Sequence, residues 1–483
     1  MKRSSRMMLL LTLLLLISGK AICQETPVPA STAQPQRSVF TLRDCLRLAV
    51  AESEKIKASD IEVTIRENER KSMRGHYFPL VTLEGKVVKF NSAVDLNVDM
   101  SFLNVLLQDF VSFMTPETLQ QLAAFQEQGL KIKVRDDFVY EGGVTVAQPL
   151  GQLYTIYAAE RAKKALVDAA KAEGISVRRK VELDVVKAYV GLVAAVNIET
   201  TIESAIVQLD STERQVEQYL NAELVERNAL LMVQVAKAGY QKKLFSARKG
   251  ADLARASLNM LMGRPLASPL EPSLEGVVLS LKDANPEEPL TMQQKAAVAN
   301  RPELTGARFS AKAADYGKKA AIGKMIPELN LVFKYHNTQG TGEMQPENEY
   351  FGGLILSWNI WDWGVDYYAM RAAEAVQEKA ATEIADAEDM IRLDVESKWL
   401  DLKEARESVA VSEKQAELAD ENLRIVKMRY DVTEATTTEL LEAQTVQLKA
   451  ENELTIAKVK VDAALYALAV SRGIDLLHPD TIE

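Results

Sequence analysis

The fold of this chain is decided by the stretch from Val395 to Tyr430, VESKWLDLKEARESVAVSEKQAELADENLRIVKMRY. It carries an apolar or small residue at every seventh position, namely Val395, Leu402, Val409, Ala416, Leu423 and Tyr430. The following stretch keeps the same spacing with Ala443, Ala450, Ala457, Ala464 and Ser471. A seven-residue repeat indicates helices that pack as a left-handed coiled coil, and alanine at the contact positions allows close approach. An ordinary helical bundle is the alternative, but heptads on both sides of one turn favour a coiled hairpin.

The spacing of proline and glycine indicates long helices in both halves of the chain. Proline is absent between Pro149 and Pro265 and between Pro346 and Pro479, and glycine is absent from Val365 to Arg472. Both residues interrupt helices, so their absence predicts uninterrupted ones. The predicted helices are Thr41–Arg74, Gln152–Tyr219, Asn228–Met262, Leu290–Met325, Asp366–Tyr430 and Thr438–Arg472.

The chain repeats itself. The segment 42–79 matches the segment 290–327 at a constant offset of 248 residues. Gly142-Gly143 falls on Gly352-Gly353, and Leu183-Asp184-Val185 on Leu393-Asp394-Val395, at an offset of 210 residues. The two offsets differ by 38 residues, which places an insertion in the first copy between Pro79 and Gly142. Self-similarity of this kind indicates a duplicated structural unit.

The domain organisation follows from the duplication. The first repeat spans residues 41–262 and the second spans residues 290–473. Between them, residues 263–289 hold five of the fifteen prolines and predict an irregular linker that wraps the outside of the helices. Residues 474–483 form a C-terminal tail.

Each repeat also contains two predicted strands, at about 79–91 and 139–150 in the first and about 327–337 and 350–362 in the second. Residues 92–138 form a loop between the first two strands, in which Pro116–Gln128 is predicted as a short helix. Leu329, Leu331 and Phe333 alternate with mostly polar residues. This pattern is typical of a barrel strand with lipid on one side and water on the other. A soluble hairpin with one buried face has the same period.

The N-terminus reads as an export signal. Lys2, Arg3 and Arg6 precede an apolar run from Met7 to Ile17, so residues 1–23 are predicted as a signal peptide. Residues 24–40 are a Pro/Ser/Thr-rich leader and are predicted to be disordered. Lipidation of Cys23 is the alternative. If Cys23 leaves with the signal, Cys45 is the only remaining cysteine and no intrachain disulfide can form.

Charge and hydropathy restrict the partners. A formal net charge of −10 argues against nucleic acid as a ligand. After the signal, no apolar stretch approaches the ~18 residues that a transmembrane helix needs, so membrane insertion would require strands of a closed barrel. A barrel closed by only four strands would be filled by its own side chains. Several copies would therefore have to contribute strands to one barrel to enclose a pore.

Catalytic signals are weak. The three histidines, His76, His336 and His478, lack metal-ligand spacing, and Gly142-Gly143 is not a phosphate-binding loop. We therefore expect no enzyme activity, no metal site and no cofactor.

The ordered set of motifs resembles one family. It comprises Arg301-Pro302-Glu303-Leu304, Ile326-Pro327, Trp363-Gly364, Arg429-Tyr430 and Leu440-Leu441-Glu442-Ala443-Gln444. Over residues 41–473 the chain looks like a member of the outer-membrane factor (TolC) family. The resemblance implies a mainly α fold with a membrane β-barrel portion. In this implied fold, the tandem repeats of a homotrimer build a long coiled-coil α-barrel in the periplasm. Each protomer adds four strands to one twelve-stranded barrel in outer-membrane lipid.

The function that the resemblance implies is a passive exit duct in the cell outer membrane. Such a duct serves a tripartite efflux or type I secretion system and receives substrates from an inner-membrane pump and a periplasmic adaptor, or membrane fusion protein. A periplasmic coiled-coil adaptor or scaffold is the alternative, and it would show one hairpin flanked by β-rich halves.

The resemblance also implies site residues. Tyr430, Glu439, Glu442 and Asn228 fall on positions of the family's periplasmic aperture, while Ala435 stands where the founding member has a latching arginine. Adaptor-docking tips are expected at Leu224, Val225, Thr436 and Thr437, and interfacial aromatics at Trp358, Trp361 and Trp363. The plain alternative for Glu439 and Glu442 is that acids suit the first turn of a helix.

Overall fold

The computed structural model describes residues 39–477, except residues 101, 111–112, 129, 274–287 and 343–344. The predicted signal peptide, most of the leader, the middle of the linker and the end of the tail lie outside the described residues, as do Cys23 and His478.

Helices and short strands alternate along the chain. The first repeat contains β1 (Val39–Phe40), α1 (Leu42–Glu52), α2 (Glu54–Gly75), β2 (Leu80–Lys89), β3 (Val94–Val98), α3 (Phe102–Leu106), α4 (Pro116–Gln128), β4 (Leu130–Arg135), β5 (Phe138–Pro149), α5 (Leu153–Asn221) and α6 (Arg227–Leu261). The linker contributes β6 (Glu271–Pro272). The second repeat contains α7 (Leu290–Asn300), α8 (Pro302–Gly323), β7 (Glu328–Gln339), β8 (Asn348–Ser357), α9 (Val365–Asp431) and α10 (Thr437–Ser471).

Two long hairpins dominate the fold. The 69 residues of α5 and the 67 of α9 each extend for about 100 Å, and the 35-residue α6 and α10 cover one half of their partners. The other halves of α5 and α9 pack on the shorter helices α2, α7 and α8. Four of the heptad positions on α10 confirm the predicted contact stripe, because Ala443, Ala450, Ala457 and Ser471 are buried.

The two half-length helices are each broken once, which corrects the prediction of single helices over Thr41–Arg74 and Leu290–Met325. Ser53 and Arg301, the break residues, have extended backbone angles with ψ of 121° and 126°. Proline disfavours the helical conformation of the residue before it, so Pro302 explains the break at Arg301. Ser53 lies 248 residues before Arg301, so the two breaks occupy equivalent positions of the duplication.

The four long strands form one antiparallel sheet in the order β2-β5-β7-β8. Its central contact joins the two repeats, because β5 pairs with β7 from Tyr140↔Gln339 to Pro149↔Asn330. Gly143 has no room for a side chain there, since a Cβ would come within 2.9 Å of the Tyr335 carbonyl oxygen. The last strand ends at Ser357, five residues before the predicted end at 362, so the tryptophans follow the sheet.

The insertion contains more structure than the predicted loop. Besides α4 it holds the hairpin of β3 and β4, in which Leu96 lies opposite Ile132 and Asp95 opposite Lys133. The hairpin is fixed to the second repeat, because the amide of Asp136 donates to the carbonyl of Gly340 at 2.7 Å.

The main hydrophobic core lies near the middle of the long helix α5. There α1, α5, α6 and α10 meet around Leu46, Tyr189, Met262 and Tyr466. The hydroxyl of Tyr189 contacts two carbonyl oxygens, those of Phe40 and Ser273, each at 3.0 Å. It thereby ties both strands of the small parallel sheet β1-β6 to the helices.

Candidate functional site

The ends of the two long hairpins form a compact tip. Its core consists of apolar residues from all four long helices and one turn, namely Val216, Ala229, Val233, Leu423, Tyr430, Ala435, Leu440 and Ala443. Tyr430 is only 2% exposed, and its ring lies 5.8 Å from that of Tyr219 between centroids. Its hydroxyl lies 3.3 Å from Thr437 Oγ1. Tyr430 therefore holds the tip together rather than facing solvent within one chain.

Polar contacts join the two hairpins at the tip. Tyr219 donates its hydroxyl proton to the carbonyl of Asp431 at 3.2 Å, and Gln215 Nε2 donates to the carboxylate of Asp431 at 2.8 Å. Neither Tyr219 nor Gln215 was predicted as a site residue. They come from α5, whereas Tyr430 comes from α9, and sequence gives no signal for a contact between chain segments more than two hundred residues apart.

The start of α10 fixes Glu439. Thr436 and Glu439 form a capping box, in which the Thr436 amide donates to the Glu439 carboxylate at 2.7 Å and the Glu439 amide donates to the Thr436 hydroxyl at 3.2 Å. The hydrogen bond from the Thr436 amide lowers the pKa of Glu439 below its usual value. The pattern Thr-x-x-Glu is the sequence signature of this motif. Glu439 thus has a structural role, because it caps the N-terminus of α10.

Ala435, which the resemblance places where the family's founding member has a latching arginine, is buried in the tip core. In this chain Arg429 lies close by. Its guanidinium donates to the carbonyl of Glu434 at 3.1 Å and lies 4.0 Å from the carboxylate of Glu439. Arg429 therefore ties the α9–α10 turn within one chain.

Asn228 and Glu442 both line a groove of about 790 Å³ between α6 and α10. The groove is mostly apolar, with Leu231, Met232 and Val235 exposed along one wall. Asn228 thus shares this groove with Glu442 and a neighbouring groove with Tyr430, while Glu439 is held towards Thr436 and Arg429.

The predicted docking tips differ in exposure. Leu224 is 58% exposed and Thr436 is exposed, while Val225 is half-buried against the tip core. Thr437 is buried, because the first helical residue of α10 points inward to Tyr430. A docking role for Thr437 stays a prediction, and any contact with an adaptor would have to reach a side chain that is buried within one chain.

The three tryptophans cluster at the join between the sheet and α9. Trp358, Trp361 and Trp363 are all exposed, and the last two rings make an edge contact at 5.8 Å. Asp362 accepts the amides of Gly364 and Asp366, which starts α9 directly after this aromatic cluster.

The described helices include none long and apolar enough to cross a membrane. Across the same part of the chain, no group of three histidine, cysteine or acidic side chains could hold a metal ion.

Comparisons with solved structures show which proteins share this fold. The chain superposes on the outer-membrane channel OprN with a TM-score of 0.70 and 17% identity, covering 95% of this chain and 99% of OprN. It also superposes on the outer membrane protein VceC from Vibrio cholerae with a TM-score of 0.68 and 15% identity, covering 89% of this chain and 96% of VceC. The chain therefore shares the fold of these outer-membrane proteins, and the predicted fold class is confirmed.

Sequence comparison gives the family. Residues 294–473 match the family described as Outer membrane efflux protein. The outer membrane efflux protein BepC of Brucella suis biovar 1 (strain 1330) is 26% identical over 179 residues, which are 37% of this chain and 39% of BepC. The match thus spans about two fifths of the relative's length. The second repeat is thus similar to the outer membrane efflux protein family, and the predicted resemblance to the outer-membrane factor family is confirmed.

Proposed function

We propose that this protein is the exit duct of a tripartite efflux or secretion system in the cell outer membrane. Several copies, three by analogy with the family, close one barrel in the membrane and one helical barrel in the periplasm. An inner-membrane pump and a periplasmic adaptor deliver substrates to it. The observation that carries the proposal is the division of the β-sheet into an apolar and a charged face.

The strand register defines the two faces. Residues directly opposite in an antiparallel sheet share a face. Glu84, Gly143, His336 and Glu349 lie in one such row, and Lys86 and Glu141 lie in another on the same face. This face also carries two ion pairs, Lys86–Glu141 at 3.3 Å and Lys334–Glu84 at 4.0 Å.

The opposite face is apolar and exposed. It carries Leu83, Leu331, Phe333 and Leu354, which are 82%, 49%, 50% and 64% exposed. A soluble protein would cover such a patch. A barrel that faces lipid outside and water inside needs this arrangement.

The sheet also has two free edges. β2 and β8 each pair on one side only within the described chain. In hydrocarbon every backbone group must be satisfied, so the edges of one copy have to pair with those of the next. The rival adaptor function has less support, because the chain has two matched hairpins and one shared sheet rather than one hairpin between β-rich halves.

The tip would act as the aperture of the duct. In a trimer, three copies of Glu442 in the groove between α6 and α10 would surround the axis with carboxylates. Rings of acidic side chains favour cations in a constriction. Glu439 and Asn228 would lie next to this ring, and Tyr430 would hold each hairpin in its closed packing.

The adaptor would meet the exposed turns, and cross-linking tests this part of the proposal. Cysteine at Val225 or Thr436 should form a disulfide-length cross-link to the hairpin of a co-expressed periplasmic adaptor, because both positions lie at the far end of the hairpins. Val207→Cys is the matched control, since Val207 is 65% exposed on α5 and lies about 20 Å up the helix from its end. Equal yields at Val207 and at the turn positions would contradict tip docking.

A further inference from the structure

The internal duplication relates the strands of the two repeats to one another. At the offset of 248 residues β2 falls on β7, so that Lys86 corresponds to Lys334. At the offset of 210 residues β5 falls on β8, so that Tyr140 corresponds to Tyr350. Each repeat therefore contributes one hairpin to the sheet, and the two hairpins should pair in the same way.

The observed registers of the two hairpins agree with this equivalence. In the first hairpin, Leu83 of β2 lies opposite Val144 of β5. The two offsets carry this pair to Leu331 of β7 and Leu354 of β8, which do lie opposite each other. Every other pair of the first hairpin is carried onto a pair of the second in the same way. The duplication therefore predicts strand register in this sheet.

The contact between the two hairpins has an equivalent that one chain leaves open. Within the chain, β5 pairs with β7, and Thr145 lies opposite Lys334. The two free edges are β8, which corresponds to β5, and β2, which corresponds to β7. In a closed ring of copies joined head to tail, β8 of one copy meets β2 of the next. The two offsets carry Thr145 to Ile355 and Lys334 to Lys86.

We propose, building on the assembly of several copies into one exit duct, that β8 of each copy pairs with β2 of the next in the register that places Ile355 opposite Lys86. Lys89, the last residue of β2, then lies opposite Gly352 rather than opposite Asn348, the first residue of β8. The two strands are therefore staggered instead of aligned end to end. A sheet can close into a barrel only when its strands tilt and their register is staggered.

The side chains fit this register on both faces of the sheet. On the apolar face it brings Leu83 of one copy beside Trp358 of the other, the residue that directly follows β8. These side chains are 82% and 57% exposed in the single chain, so the pairing covers apolar surface. Like charges do not face each other, because the paired part of β8, residues 352–357, carries no charge.

The register also explains a glycine. Gly353 corresponds to Gly143, at which a Cβ would come within 2.9 Å of the Tyr335 carbonyl oxygen in the contact between β5 and β7. Within the described chain, a Cβ at Gly353 would meet only the ring of Phe351, at 3.2 Å, and a side chain can move away. In the proposed register Gly353 lies opposite Val88 of the other copy, whose strand supplies the close backbone contact.

Disulfide cross-linking of the full-length protein in outer membranes, with copper phenanthroline as the oxidant, tests the register. Two pairs should form disulfides between copies, Ile355→Cys with Lys86→Cys and Ser357→Cys with Glu84→Cys. Opposite residues of antiparallel strands have Cα atoms about 4.5–5.5 Å apart, which a disulfide can span. Within one chain, three strand spacings of roughly 14 Å in total separate the two edges, so covalent oligomers on a non-reducing gel report contacts between copies. The native Cys45 is buried in the helical core.

The same four positions supply the matched controls. Ile355→Cys with Glu84→Cys, and Ser357→Cys with Lys86→Cys, lie on the same face but are shifted by two residues. Their yield of covalent oligomer should be about tenfold lower, because their Cα atoms would be about 7–8 Å apart. Each substitution occurs in one test pair and one control pair, so a folding defect lowers both yields alike. Ile355→Cys with Thr82→Cys reports the end-to-end register.

High yields from both predicted pairs and low yields from the other three pairs would support the proposal, and any other pattern would overturn it. Native mass spectrometry of the same preparations separates the register from the exit duct itself. A particle of several chains that cross-links only through Ile355→Cys and Thr82→Cys would refute the register and leave the exit duct standing. A single chain that forms no cross-link would refute both.

Discussion

Replacing Tyr430 with alanine is expected to destabilise the hairpin tip by about 3–5 kcal/mol, the usual cost of removing a buried aromatic ring. The ring is 2% exposed and packs on Tyr219, so its removal leaves a cavity where the two hairpins meet. In planar bilayers the variant should conduct several times more current than the wild type, because the tip would no longer hold its closed packing. Amide hydrogen exchange of the α9–α10 turn should rise with the conductance.

Two control variants separate packing from charge at the tip. Tyr430→Phe keeps the ring and loses only the contact with Thr437, so it should cost no more than about 1.5 kcal/mol and conduct like the wild type. Glu442→Gln should leave conductance nearly unchanged but lower cation selectivity, measured at about 0.1 M salt where the Debye length is ~10 Å. Wild-type conductance in Tyr430→Ala would contradict the gating role, and unchanged selectivity in Glu442→Gln would place that carboxylate away from the pore.

Leu331→Arg is expected to abolish or strongly reduce assembly in the outer membrane. Leu331 lies on the exposed apolar face of β7, and an arginine on the lipid face of a barrel costs roughly 2–4 kcal/mol per chain near the bilayer centre. Every copy in the barrel would carry this cost. Outer-membrane fractionation followed by immunoblotting measures the loss.

The neighbouring residue supplies the control. Val332 lies on the charged face, opposite Ala147 on one side and Gly353 on the other, so an arginine there has space and would face water. Val332→Arg should reach the membrane at close to the wild-type level. Equal loss in the two variants would mean that the two faces of the sheet do not separate lipid from water.

The sequence predicted the long helices well, because heptad spacing is a local property. Val395, Leu402 and Tyr430 are buried as the seven-residue period requires. The break at Arg301 could have been predicted as well, since Pro302 restricts the residue before it. The break at Ser53 has no such local signal, and only the offset of 248 residues connects it to Arg301.

The site was less predictable. The capping box of Thr436 and Glu439 is visible in the sequence as Thr-x-x-Glu, and it gives Glu439 a structural role in the first turn of α10, in line with the plain alternative. The burial of Thr437 depends on the packing of Tyr430 and therefore on tertiary structure.

The mass of the detergent-solubilised particle tests the central claim most directly, because one chain supplies only four strands with two free edges. We expect native mass spectrometry of the protein extracted from outer membranes to give a particle of three chains that requires detergent for its solubility. A monodisperse single chain that stays in solution without detergent after signal removal would contradict the exit-duct account.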